Sequence, residues 1–128
     1  MFDLGEQEDE ANQDEADQYV VRAGMARPDN LIAGTAAHRL LSGLTGFSVQ
    51  SAPGVSIEEL ARGGQFRNLQ ISVTTVSALQ RRGFEVVFPT PGRGAYHATV
   101  RAPDPLPWAT ALLLSGLFVQ YPNPHPVP

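Results

Sequence analysis

A chain of 128 residues with 42% hydrophobic content suits one domain with a real core and leaves no room for two. It contains no cysteine, which excludes disulfides, thiol catalysis and thiolate metal sites. The formal net charge of −4 joins two unlike parts: residues 1–18 hold eight acids and no base, while the remainder carries nine arginines against five acids. The body is therefore basic, and all of its cationic residues are arginines, because the chain has no lysine. Arginine usage of this kind follows either from a GC-rich genome or from a need for planar guanidinium forks that grip phosphate or carboxylate at two points.

Taken in chain order, residues 1–18 lack apolar periodicity and read as an acidic disordered tail, able to fold back on the basic body or simply to solubilise it. An acidic start does not fit a secretory or mitochondrial signal. Tyr19 to Ala23 is β-branched and compact, a first strand ended by Gly24. Pro28-Asp29-Asn30 opens a short helix through Ile32 that Gly34 should stop, with a further turn from Thr35 to Leu41. Phe47 to Ser51 is a second strand, terminated by Pro53-Gly54. Ser56-Ile57-Glu58-Glu59 has the form of a capping box, starting a helix that Gly63-Gly64 ends. Leu69 to Val73 alternates as a strand should, and Thr74 or Thr75 then caps a helix through Arg82, with Gly83 just beyond.

Phe84–Phe88 and Ala95–Arg101 read as antiparallel neighbours joined by the turn-rich segment 89–94. The last helix is expected from Trp108 to about Phe118, with Leu112, Leu113 and Leu117 as its apolar face. That run falls short of the ~20 apolar residues a membrane span needs, so a soluble, cytoplasmic protein is the expectation. Residues 122–128 alternate with proline and should form an extended, polyproline-like tail able to dock on a protein partner. The resulting expectation is a single α+β domain over 19–121: a small, mainly antiparallel sheet of four to five strands packed with three to four helices.

Arg22 lies inside an apolar strand, so it must reach solvent or pair with an anion in a cleft. Together with Ser72-Val73-Thr74-Thr75 it resembles the arginine and Ser-Thr-Ser elements of the ADP-ribosyltransferases. The resemblance implies that Arg22 contacts the phosphates of NAD, a cofactor needed under this reading alone, while Ser72 and Thr74 brace the pocket; otherwise no cofactor is expected. The chain departs from that family at the late catalytic glutamate: Glu85 is the one glutamate after residue 75, and it has no Gln or Glu two residues before it.

The segment Arg93 to Arg101 offers a different chemistry. Strand alternation puts His97, Thr99 and Arg101 on one face and Tyr96, Ala98 and Val100 on the other. On such a face His97 could move a proton while Arg101 or Arg93 stabilises a phosphorane-like transition state. Arg93 also sits in a Pro-Gly-Arg-Gly loop whose amides suit a phosphate. The plainer alternative is a solvent-facing polar strand behind a glycine-rich turn. His38 and His125 have no neighbours at metal-ligand spacing, so no metal site is expected. In size, charge division and turn content the chain resembles small bacterial proteins of conflict or toxin–antitoxin systems. Two functions follow: an effector module that binds a protein or anionic partner through its basic face, or a toxin enzyme that cleaves RNA or transfers ADP-ribose from NAD.

Overall fold

A computed structural model describes residues 18–42 and 44–128, so the acidic stretch expected to be disordered lies, but for Gln18, outside the described residues. Among them six strands form one sheet: β1 (Tyr19–Ala23), β2 (Gly46–Gln50), β3 (Gln70–Thr75), β4 (Val86–Val87), β5 (His97–Arg101) and β6 (Val119–Pro122). Their order is β4-β5-β2-β1-β3-β6, and every neighbouring pair is antiparallel. Four helices join them: α1 (Pro28–Ser42), α2 (Ile57–Gly64), α3 (Val76–Arg81) and α4 (Trp108–Ser115). This is the α+β architecture expected. None of these helices is long and apolar enough to cross a membrane.

Val20 and Val21 are successive strand residues, both fully buried, so the centre of the sheet is covered on both faces. On one side Val20, Phe47 and Val100 pack with Leu31 of α1, Leu79 of α3 and Leu114 of α4. On the other, Val21, Ile71 and Val73 pack with Leu60 and Ala61 of α2. Burying an aliphatic side chain of this size contributes ~1.5–3 kcal/mol, which makes these two clusters the main source of stability.

Three local expectations needed correcting, each for a physical reason. Gly34 does not stop α1. The helix continues through it, burying Leu31, Thr35 and His38 at helical spacing, and a Cβ at residue 34 would collide with the Arg22 guanidinium. The glycine makes room for a side chain from another element. In α4, Ala111 and Leu114 face the core, whereas Leu112 and Leu113 are exposed and Leu117 packs from beyond the helix. A helix apolar all round gives periodicity no phase to read. The sixth strand, β6, takes three residues left between the expected helix and tail together with the first residue of the tail, and its Pro122 is tolerated because β6 is an edge strand. Residues after it run alongside the 66–69 segment, through Asn123 N–H to Leu69 O (2.8 Å) and Val127 N–H to Phe66 O (2.9 Å).

The caps are close to expectation. Ser56 Oγ accepts from Glu59 N–H at 3.1 Å, and Thr75 Oγ1 accepts from Ala78 N–H at 3.1 Å. Glu59 turns its own carboxylate to Arg62 and to the Tyr96 hydroxyl, so the capping box is made by its serine half. The Tyr96 phenol is raised in pKa first by donating to Glu59, then by burial and the charge of that carboxylate. α2 runs on through Gly63 and Gly64 and closes at Gln65, which takes the left-handed conformation at φ 54°.

Candidate functional site

The sheet is not evenly zipped. β1 matches β3 at five successive positions and β2 matches β5 at five, but β1 and β2 share the single registered pair Val21↔Gln50. One residue along β1, Arg22 sends its side chain across this seam, and Nη1 donates to the Ser48 carbonyl of β2 at 2.7 Å. Its guanidinium carbon lies 5.2 Å from the centroid of the Phe47 ring. Desolvation there lowers the Arg22 pKa to about 10. No carboxylate lies within ion-pair distance of it among the described residues.

Arg22 forms part of the floor of a cleft of about 700 Å³, a size typical of small-molecule sites. His38, Ser48, Gln50 and His97 complete the floor. The 64–68 segment that follows α2 makes one wall, together with Val127 and Pro128, and the 91–93 loop makes the other. Arg67 and Arg93 stand on these walls, and no Asp or Glu is among the lining residues. Gln50 holds the second wall in place: its Nε2 donates to Arg93 O at 2.9 Å and its Oε1 accepts from Tyr96 N–H at 3.0 Å. Gly92 is needed for close approach, since a Cβ there would run into the His97 ring.

Residues paired across antiparallel strands share a face, so the registers Ser48↔Thr99 and Gln50↔His97 put four polar side chains together. Three of them, Ser48, Thr99 and His97, enter a closed hydrogen-bonded ring. Ser48 Oγ lies 3.0 Å from His38 Nδ1 and 3.1 Å from His97 Nε2. His38 Nε2 lies 2.9 Å from Thr99 Oγ1, which lies 2.9 Å from Thr90 Oγ1, and this hydroxyl returns to His97 Nδ1 at 3.0 Å. His97 Nδ1 is also 3.1 Å from the Thr90 carbonyl, a group that can only accept. That carbonyl assigns the proton to Nδ1 of His97. With one proton on each imidazole, the remaining bonds all form when Thr90 donates to Thr99, Thr99 to His38 Nε2, His38 Nδ1–H to Ser48, and Ser48 to His97 Nε2. The pKa of His38 is accordingly depressed, chiefly by burial and further by His97 and Arg22 nearby.

The structure brings some of the residues singled out from sequence together and separates others. Arg22, Arg93 and His97 line the cleft, and Thr99 lies one bond behind it in the ring. Arg101 does not join them. It is exposed at the far end of β5, where it pairs with Glu85 at 3.4 Å. Ser72 sits directly opposite Arg22 in register, donating to Gly24 O at 2.7 Å and accepting from Ala26 N–H at 2.9 Å. It fixes the chain just after Arg22 without lining the cleft. Thr74 is buried opposite Val20 and also lies off the cleft. Ser48, Gln50, His38, Thr90 and Arg67 had not been singled out as site residues. His38 and Ser48 could not have been paired from sequence, since their meeting depends on a packing of α1 against β2 that no spacing reveals. Among the described residues there is no group of three or more His, Asp or Glu that could hold a metal. Compared with protein-family models, curated proteins and solved structures, the chain finds no match.

Proposed function

We propose that this domain is a binding module for a phosphate-bearing ligand of nucleotide size, anchored by Arg22. The observation that carries this reading is a largely desolvated guanidinium facing a cleft with no Asp or Glu among its lining residues. Withdrawing a charge from water without a partner is unfavourable, and a bound anion would supply the missing countercharge. Arg67 and Arg93 on the walls extend the positive field to a second phosphate, and Phe66 offers a flat surface to a ring. A dinucleotide such as NAD has this combination of a diphosphate and planar groups. ADP-ribosyl transfer would need an Asp or Glu side chain in the cleft, and none lines it, so the activity we propose is binding. The setting we propose is a cytoplasmic bacterial effector whose cleft a protein or anionic partner engages.

A second reading, cleavage of an RNA phosphodiester, draws on His97 and Arg93 facing the same cleft, with Arg101 removed from the scheme. Calorimetric titration with inorganic pyrophosphate, NAD, ADP-ribose and a short RNA tests both. The expected result is a Kd below ~100 μM for at least one diphosphate, weakened by salt. Arg22→Lys should weaken it about tenfold, because an ammonium cannot reproduce the two-point fork. Binding of none of these below ~1 mM by folded protein would sink the proposal. RNA shortening under the same conditions, lost in His97→Gln, would move it to the second reading.

A further inference from the structure

The ring of hydroxyls and imidazoles holds a group that the anion-binding reading leaves unused. Ser48 Oγ lies 3.1 Å from His97 Nε2, to which it donates in the tautomer whose Nδ1–H meets the Thr90 carbonyl at 3.1 Å. A hydroxyl, a neutral imidazole acceptor and a fixed acceptor behind the imidazole are the parts of an activated serine. Ser48 Oγ also accepts from His38, which leaves its second lone pair available. Ser48 is only half-buried and lines the cleft, with Arg22 bonded to its own carbonyl, so an electrophile held by Arg22 is presented next to that oxygen.

We infer that Ser48 is a nucleophile toward phosphorus and His97 its base, the substrate class being a phosphate ester or anhydride seated on Arg22. This inference rests on the anion-binding reading of the cleft. In the step it describes, the Ser48 proton passes to His97 Nε2 as the Oγ–P bond forms. The bond from phosphorus to the leaving oxygen breaks, and that oxygen takes the proton back from His97. Water, giving a proton to His97 Nε2, then attacks phosphorus; the Oγ–P bond breaks, Oγ takes that proton back from His97, and the phosphate leaves. Thr90 is a positioning residue, acting through the imidazole.

The probe for this step is an alkyl fluorophosphonate, whose P–F bond breaks with loss of fluoride when a serine attacks. Treatment of the full chain should give one adduct by intact mass, mapped to Ser48. It should be absent in Ser48→Ala and at least ~100-fold slower in His97→Gln, and inorganic pyrophosphate should protect. A folded protein that takes no adduct, or takes it on another hydroxyl, overturns the assignment. The wild-type mapping alone decides the matter should His97→Gln fail to fold. Pyrophosphate binding, read separately by calorimetry, keeps the two ideas apart. Binding without an adduct refutes the nucleophile and leaves the anion cleft standing, whereas an adduct on Ser48 without pyrophosphate binding refutes the cleft reading.

Discussion

Two arginines, Arg22 and Arg101, occupy strands of the same sheet and end in opposite circumstances. Arg101 is exposed and paired with Glu85 at 3.4 Å, both side chains at least half open to water. Arg22 is drawn across the seam between β1 and β2, bonded to a main-chain carbonyl, and has no acidic neighbour in ion-pair reach among the described residues. Strand alternation marks both as polar positions but is silent on which will be desolvated. An exposed ion pair of this kind contributes ~0–1 kcal/mol. A desolvated, unpaired guanidinium is held against an energetic cost, and that cost makes it the better indicator of a ligand site.

The largest effect expected from breaking this contrast is on binding. Arg22→Met fills a similar volume without the charge, and it should weaken pyrophosphate binding by about 100-fold while the melting temperature moves by only a few degrees. Calorimetry and thermal unfolding of the same sample check both halves. Unchanged affinity in Arg22→Met would place the anion elsewhere on the basic surface.

Next in size is Gly34→Ala. At an open helix position this change stabilises by up to ~1 kcal/mol. Here the new methyl would strike the Arg22 guanidinium, so the variant should lose ~1–2 kcal/mol in urea unfolding and weaken binding about tenfold. A more stable protein with parental affinity would show that Arg22 has room to move.

A smaller effect is expected from pH. Because the folded state lowers the pKa of His38 below its ordinary value of 6.5, the unfolded chain takes up the proton first. The neutral histidine's contribution is complete above pH 6.5 and is lost as the pH falls from there through the folded-state value. The slope approaches at most ~1.4 kcal/mol per pH unit for one proton. The difference in urea midpoint between pH 7.5 and 5.5 should therefore shrink in His38→Gln. An identical pH dependence in that variant would remove His38 as its source. The smallest change belongs to Arg101→Ala, expected to alter stability by no more than ~0.5 kcal/mol and leave pyrophosphate affinity untouched.

Much of this fold was legible in the chain. β1 was delimited correctly because Tyr19 to Ala23 is a compact β-branched run closed by Gly24, and the cap of α2 was given by Ser56. The β4–β5 pairing followed from two apolar segments around a turn-rich connection. What escaped was set by tertiary contact. Gly34 was read as a helix stop because the sequence cannot show the arginine that claims its space. β6 escapes because Val119 to Tyr121 are too few to read as a strand between a helix and a proline-rich tail, although an edge strand tolerates Pro122. The site was half legible: Arg22, Arg93 and His97 were found as polar residues in unusual company. Ser48 and His38 were not, because a serine in one strand and a histidine in one helix acquire meaning only through the register Ser48↔Thr99.

The sparse pairing of β1 with β2 divides the sheet into two plates, β4-β5-β2 and β1-β3-β6, each internally laddered and joined in register at Val21↔Gln50 alone. Amide hydrogen exchange would then see the molecule as two cooperative blocks with a shared border. A ligand gripping Arg22 from one plate and Ser48 or His97 from the other would act as a clasp, slowing exchange in both plates at once. Slowed exchange in one plate alone would mark a ligand that stops short of the border.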